Sequence, residues 1–76
     1  MSEVLFMKIS YKKLWMLLIE KDIPKATLRK ETELSPGTMS KLNKGEEVAL
    51  SVLLRICDFL DCDIGDICEA VRVRAE

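Results

Sequence analysis

Two groups of residues in this chain carry reactive or binding chemistry. The first is Cys57, Cys62 and Cys68, spaced CX4CX5C. Thiolates bind soft metals, but this spacing matches no common zinc or iron–sulfur pattern, and the sequence has no histidine to complete a site. The N-terminus lacks the basic start, long apolar run and cleavage site of an export signal, so reduced thiols in a cytoplasmic protein are expected. Core packing is then the simplest role for the three cysteines. The second group is a stretch of donors. Lys25, Lys30, Lys41 and Lys44 are interleaved with Ser35, Thr38, Ser40 and Asn43. Ammonium, hydroxyl and amide groups at this density suit an anionic, hydrogen-bonding partner; the alternative is a solvated helix surface. The acids Asp58, Asp61, Asp63 and Asp66 resemble a metal cluster only at first sight, since helix capping and solvation account for them. No nucleophile–base pair and no glycine-rich phosphate loop is present, so neither an enzyme nor a cofactor is expected.

The elements that must position these donors are short. Leu14, Leu17 and Leu18 repeat at helical spacing and predict a first helix over Tyr11–Lys21. Pro24 precedes a second helix over Lys25–Thr32, with Leu28 inward and Trp15 and Tyr11 of the first helix packing at the core or its edge. Glu33-Leu34-Ser35 is a three-residue turn. Ser35-Pro36 starts a third helix by capping and by a preset φ; it runs to about Asn43 and ends at Gly45. Met39 and Leu42 form its apolar face. A fourth helix is expected over Leu50–Leu60, with Leu53, Ile56, Cys57 and Leu60 inward. Asp63-Ile64-Gly65-Asp66 reads as a capping box opening a short fifth helix that carries Cys68. At the ends, Val71 and Val73 alternate with Arg72 and Arg74, a period-two pattern. The termini are expected either to pair as strands, 4–9 with 70–74, across one face of the helices, or to fray.

The second and third helices with their short turn have the dimensions of a helix-turn-helix, whose second helix presents a polar end to the major groove. The stretch from Ser10 to Glu69 resembles the lambda-repressor-like, or Cro/XRE-type, helix-turn-helix family of small bacterial and phage regulators. Leu14, Leu18, Ile23, Leu28, Leu34-Ser35, Thr38-Met39-Ser40, Leu42 and Gly45 carry the resemblance, and Leu53, Ile56, Leu60 and Ile67 continue it. The segments ISYKKLW, LRK, SPGTMSKLNKGEEV and ICDFLDCDIGDI look closer still to a compact bacterial subgroup. The resemblance implies an all-α, five-helix domain spanning 1–76, with the helix-turn-helix at 25–43 and a small terminal two-stranded ribbon as an addition. It also implies roles: Thr38, Lys41 and Gly37 toward base edges, and Lys25, Ser35, Ser40, Asn43 and Lys44 toward phosphates. Three positions depart from the family pattern. Pro36 and Gly37 stand where relatives often have long polar readers, Glu33 replaces a frequent turn glycine, and Arg29 stands where many relatives have a small buried residue.

The chain is 76 residues long, enough for one small core. Apolar residues make up 49% and charged residues 33%, a folded rather than disordered balance. Aromatics at 5% are too few for a single-strand stacking platform. No uncharged run approaches the ~20 residues that span a bilayer, so no membrane association is expected. The formal net charge of −1 hides a strong asymmetry. From Lys8 to Lys44 nine bases face four acids, a net +5; from Gly45 to Glu76 three bases face eight acids, a net −5. Glu3 supplies the remainder. Such a dipole orients a molecule on a polyanion while keeping non-specific binding modest. The function expected is a sequence-specific regulator binding double-stranded DNA as a homodimer, since one module reaches few base pairs. The alternative is a protein-interaction or antitoxin-like module with weak DNA binding.

Overall fold

The computed structural model describes residues 4–75. Glu3 and Glu76 of the charge count therefore lie outside it. The element order is β1 (Val4–Ser10), α1 (Lys12–Glu20), α2 (Lys25–Glu31), α3 (Pro36–Lys44), α4 (Leu50–Leu60), a 3-10 turn (Ile64–Asp66) and β2 (Glu69–Ala75). The fold is thus four α-helices plus a two-stranded antiparallel sheet, neither all-α nor five-helical.

The expected fifth helix is only a 3-10 turn because the chain leaves it no room. Asp63 does cap it: its N–H donates to the Asp66 carboxylate at 2.9 Å, and its own carboxylate accepts from Ile64 N–H at 2.7 Å. Ile67 and Cys68 then turn inward to be buried, and β2 begins at Glu69. Cys68 therefore sits between the turn and the strand rather than on a helix.

Helices of seven to eleven residues are too short to be stable alone. Each is held by one apolar side facing a common core. The five largest fully buried side chains are Leu14, Leu28, Leu42, Ile56 and Ile67, one from each helix and one from the segment after the 3-10 turn. Tyr11, just before α1, is also buried, and its hydroxyl donates to the Glu46 carbonyl at 2.8 Å. That bond ties the start of α1 to the α3–α4 loop. Among the described residues, no helix is long and apolar enough to cross a membrane.

The strands pair in register from Val4 opposite Ala75 to Ser10 opposite Glu69. They do not lie across a helix face. Of the described strand side chains, Ile9 packs against the core, while Phe6 and Met7 remain about half exposed. The molecule is correspondingly elongated, 48 × 24 × 19 Å.

All four helices stop in the same way, with a left-handed residue that lets the next N–H bond back to a carbonyl five residues earlier. The left-handed residues are Asp22 (φ 57°), Glu33 (φ 55°), Gly45 (φ 75°) and Asp61 (φ 53°). The returning bonds are Ile23 N–H to Leu18 (2.8 Å), Leu34 to Arg29 (3.0 Å), Glu46 to Lys41 (2.8 Å) and Cys62 to Cys57 (3.0 Å). Asp visits this region more readily than most residues, and Gly without penalty. Glu33 carries the clearest strain, in the turn of the helix pair. Glu33→Gly is expected to stabilise the protein by about 0.5–1 kcal/mol, the relieved strain less the added chain entropy of glycine. A higher urea midpoint with an unchanged slope would show it.

Candidate nucleic-acid interface

α2 and α3 are fixed to each other through the turn Thr32–Ser35. Thr32 is buried, and its hydroxyl donates to the Leu28 carbonyl at 2.6 Å. Its own carbonyl accepts from the Arg55 guanidinium at 3.1 Å, so α4 grips the turn from behind. The left-handed Glu33 then drops Leu34 into the core. Thr32 belongs to this turn rather than to α2, one residue earlier than its sequence suggests, because its hydroxyl and the reversal at Glu33 both end the helix there. Glu33 itself is exposed, as is Arg29.

α3 begins as the Ser35-Pro36 pair predicts. Ser35 is extended (φ −69°, ψ 157°), and its Oγ accepts from Thr38 N–H at 3.1 Å. Its hydroxyl lies 3.0 Å from Thr38 Oγ1, donating to it. Thr38 is half-buried. Met39 and Leu42 are buried against the core, while Lys41, Asn43 and Lys44 are exposed. Ser40 is half-buried. Gly37 is exposed, and a Cβ there would meet only Ser35 Oγ, at 3.9 Å. Packing therefore does not demand glycine at this position. The first turn of α3 is left without a side-chain donor at Pro36 and Gly37.

Lys25, the first residue of α2, is tied to both neighbouring helices. Its Nζ donates to Asn43 Oδ1 at 2.8 Å and stands 4.0 Å above the Trp15 ring centroid. A cation over an aromatic face gains about 0.5–1 kcal/mol at an exposed site. Of the residues singled out from sequence, Lys25 and Asn43 are thus joined at one end of the surface, and Ser35 and Thr38 at the start of α3. Lys41 and Lys44 share the last turn of α3. Among the described residues the ion pair present is Lys13–Glu69 at 3.8 Å, away from this group. Trp15 was expected only as packing; its place under the Lys25 ammonium joins residues ten apart on different helices, and no local pattern announces it.

A polar helix face held rigidly beside a second helix is what major-groove insertion requires. The family described as a Cro/C1-type HTH DNA-binding domain matches residues 13–72. The chain belongs to the Cro/C1-type helix-turn-helix DNA-binding family. A crystal structure of the transcriptional regulator VanUg superposes on this Cro/C1-type chain with a TM-score of 0.84, at 52% identity over 86% of this chain and 87% of that one. No curated protein matches the sequence.

The three thiols of this Cro/C1-type domain are free, Cys57 and Cys68 buried and Cys62 half-buried. Burial raises all three thiol pKa values, and Cys62 rises furthest, to about 11, because the neighbouring Cys57 adds to its desolvation. At neutral pH they are poor thiolates and hence poor nucleophiles and metal ligands. The raised value also fixes a sign. An unfolded thiol ionises near 9.0, so the contribution of a protonated Cys62 is complete below that pH and is lost as the pH rises toward 11. The wild-type protein is expected to lose stability between about pH 9 and 11 more steeply than Cys62→Ala. Thermal melts of the two proteins across that range give the comparison.

Proposed function

We propose that the chain is a sequence-specific, DNA-binding transcriptional regulator acting as a small homodimer, with α3 in the major groove. The observation that carries this reading is the arrangement of α3. Met39 and Leu42 are buried, while Lys41, Asn43 and Lys44 on the same helix are exposed. In this reading Lys41 donates to guanine O6 and N7, and Thr38 offers its methyl to thymine or its hydroxyl to a base acceptor. Gly37 lets the α3 backbone approach the base edges closely. Lys25, Ser35, Ser40, Asn43 and Lys44 hold phosphates and fix the register. The likeness to a transcriptional regulator supports the cellular role.

Reach and the ribbon support the homodimer. One helix-turn-helix touches a few base pairs, and a two-fold pair reaches a second half-site a helical turn away. A lone two-stranded ribbon is marginal in water. Here Phe6 and Met7 stay about half exposed, and a second copy would cover them. The bare Pro36-Gly37 turn and the acidic C-terminal half favour the second reading, a protein-interaction or antitoxin-like module with weak DNA binding.

Lys41→Ala separates the two readings. As a DNA regulator the protein is expected to lose about 10- to 100-fold in affinity for its selected duplex, with its helical signal unchanged. Undiminished binding, with a stoichiometric protein partner recovered, would favour the interaction module. Phe6→Glu is expected to turn a dimer into a monomer by sedimentation, and a wild-type protein that sediments as a monomer at every concentration would remove the dimer.

A further inference from the structure

Beyond the helix-turn-helix, a groove of about 400 Å³ opens where the end of β1, the start of α1 and the end of α3 meet. Its polar lining is Lys8, Ser10, Lys12, Asn43 and Lys44, with Trp15 beside them. It has no acidic lining residue. Among the described residues none of the three ammonium groups has a hydrogen-bond or ion-pair partner, whereas Lys13, one residue on from Lys12, is paired with Glu69. Three positive charges lining one concavity favour an anionic occupant, and Lys8 also borders Glu46 and Glu47 in the adjoining groove.

Two residues make this groove continuous with the interface described above. Trp15 lines it and also carries the Lys25 ammonium on its ring. Asn43 lines it too, and its Oδ1 is already taken by Lys25, which leaves the amide N–H groups as the free part of the side chain. The groove therefore presents mainly donors: three ammonium groups, the Asn43 amide and the Ser10 hydroxyl, whose Oγ also accepts from Lys12 N–H at 3.4 Å.

We propose that this groove binds the phosphodiester backbone of duplex DNA flanking the bases read by α3. Lys8 and Lys12 become phosphate ligands, extending the track of Lys25, Asn43 and Lys44 onto the base of the ribbon. The inference rests on the DNA-binding reading above. A continuous backbone suits it better than a free anion, because the donors run from α2 past Trp15 to β1 as a track. It also gives β1 a second task, placing Lys8 over DNA that the helix-turn-helix alone does not reach.

The test compares wild type with the Lys8→Ala/Lys12→Ala double variant, with Lys21→Ala as a one-charge control on a different groove. Affinity for one duplex is measured across a salt series. Each phosphate contact contributes about 0.9 to the slope of log affinity against log salt, so the double variant is expected to flatten it by roughly 1–2 and to weaken binding on the order of tenfold. Lys21→Ala is expected to leave the slope where it is. Trp15, the single tryptophan, supplies a direct signal. Its emission is expected to change on adding duplex and to stay constant with inorganic phosphate at equal phosphate concentration. An unchanged slope in the double variant, while Lys41→Ala still weakens binding, overturns this inference alone. A response of Trp15 to inorganic phosphate equal to that with duplex makes the groove a small-anion site and overturns it as well. A wild type that binds no duplex overturns the DNA-binding reading together with it.

Discussion

The structure depends on the meeting of Leu14, Leu28, Leu42, Ile56 and Ile67 at one point. Each is the most buried large side chain its segment supplies. Helices this short have no independent stability, so their directions are whatever lets these five side chains exclude water together. The orientation of α3 follows from that. Leu42 and Met39 turn one face inward, and Lys41, Asn43 and Lys44 are left outside as a consequence. The polar face of α3 is the complement of its packed face, and any change that loosens the core also shifts those polar groups. Truncating one such leucine typically costs 2–5 kcal/mol, a large share of what a domain of this size has.

The second constraint lies at the helix ends. Four left-handed stops, at Asp22, Glu33, Gly45 and Asp61, convert four helices into a folded path with links of only a few residues. Three of the four stops are acids. Asp22 and Asp61 combine a tolerable backbone with a solvated charge. Glu33 is the compromise, a strained residue that also sets negative charge in the turn before α3. The left-handed turn brings Leu34 inward and lets Ser35 cap α3. The strain is therefore tied to the placement of the interface, at a position where the backbone alone would favour glycine.

Much of this was legible in the sequence, because its signals are local. Ser35-Pro36 marked the start of α3, Gly45 its end, and the spacing of Leu53, Ile56, Cys57 and Leu60 the buried side of α4. The alternation of Val71 and Val73 with Arg72 and Arg74 announced the ribbon. Local signals also misled. The Asp63–Asp66 capping box is real, yet it opens a single 3-10 turn, because the burial of Ile67 and Cys68 and the strand after them override a helical start. The left-handed stops at Asp22 and Asp61 carry no glycine to announce them. The Lys25–Trp15–Asn43 cluster and the groove shared by Lys8, Lys12 and Lys44 are joined only by tertiary packing, and no periodicity encodes them.

The charge asymmetry gains a physical meaning from this arrangement. The basic half holds α2 and α3, and the acidic half holds α4 and the 3-10 turn that close the core behind them. The first turn of α3, Pro36-Gly37, carries no side-chain donor, so under the proposed function few side chains are left to read sequence. In the proposed reading, orientation and register come from phosphates, and readout from Lys41 and Thr38. A net charge near zero then becomes useful. Long-range attraction is weak and non-specific binding stays low, so tight binding requires that the local cations all find phosphates at once. Under the proposed function that demand favours geometry over charge, in keeping with Lys25 being held by both an aromatic ring and an amide.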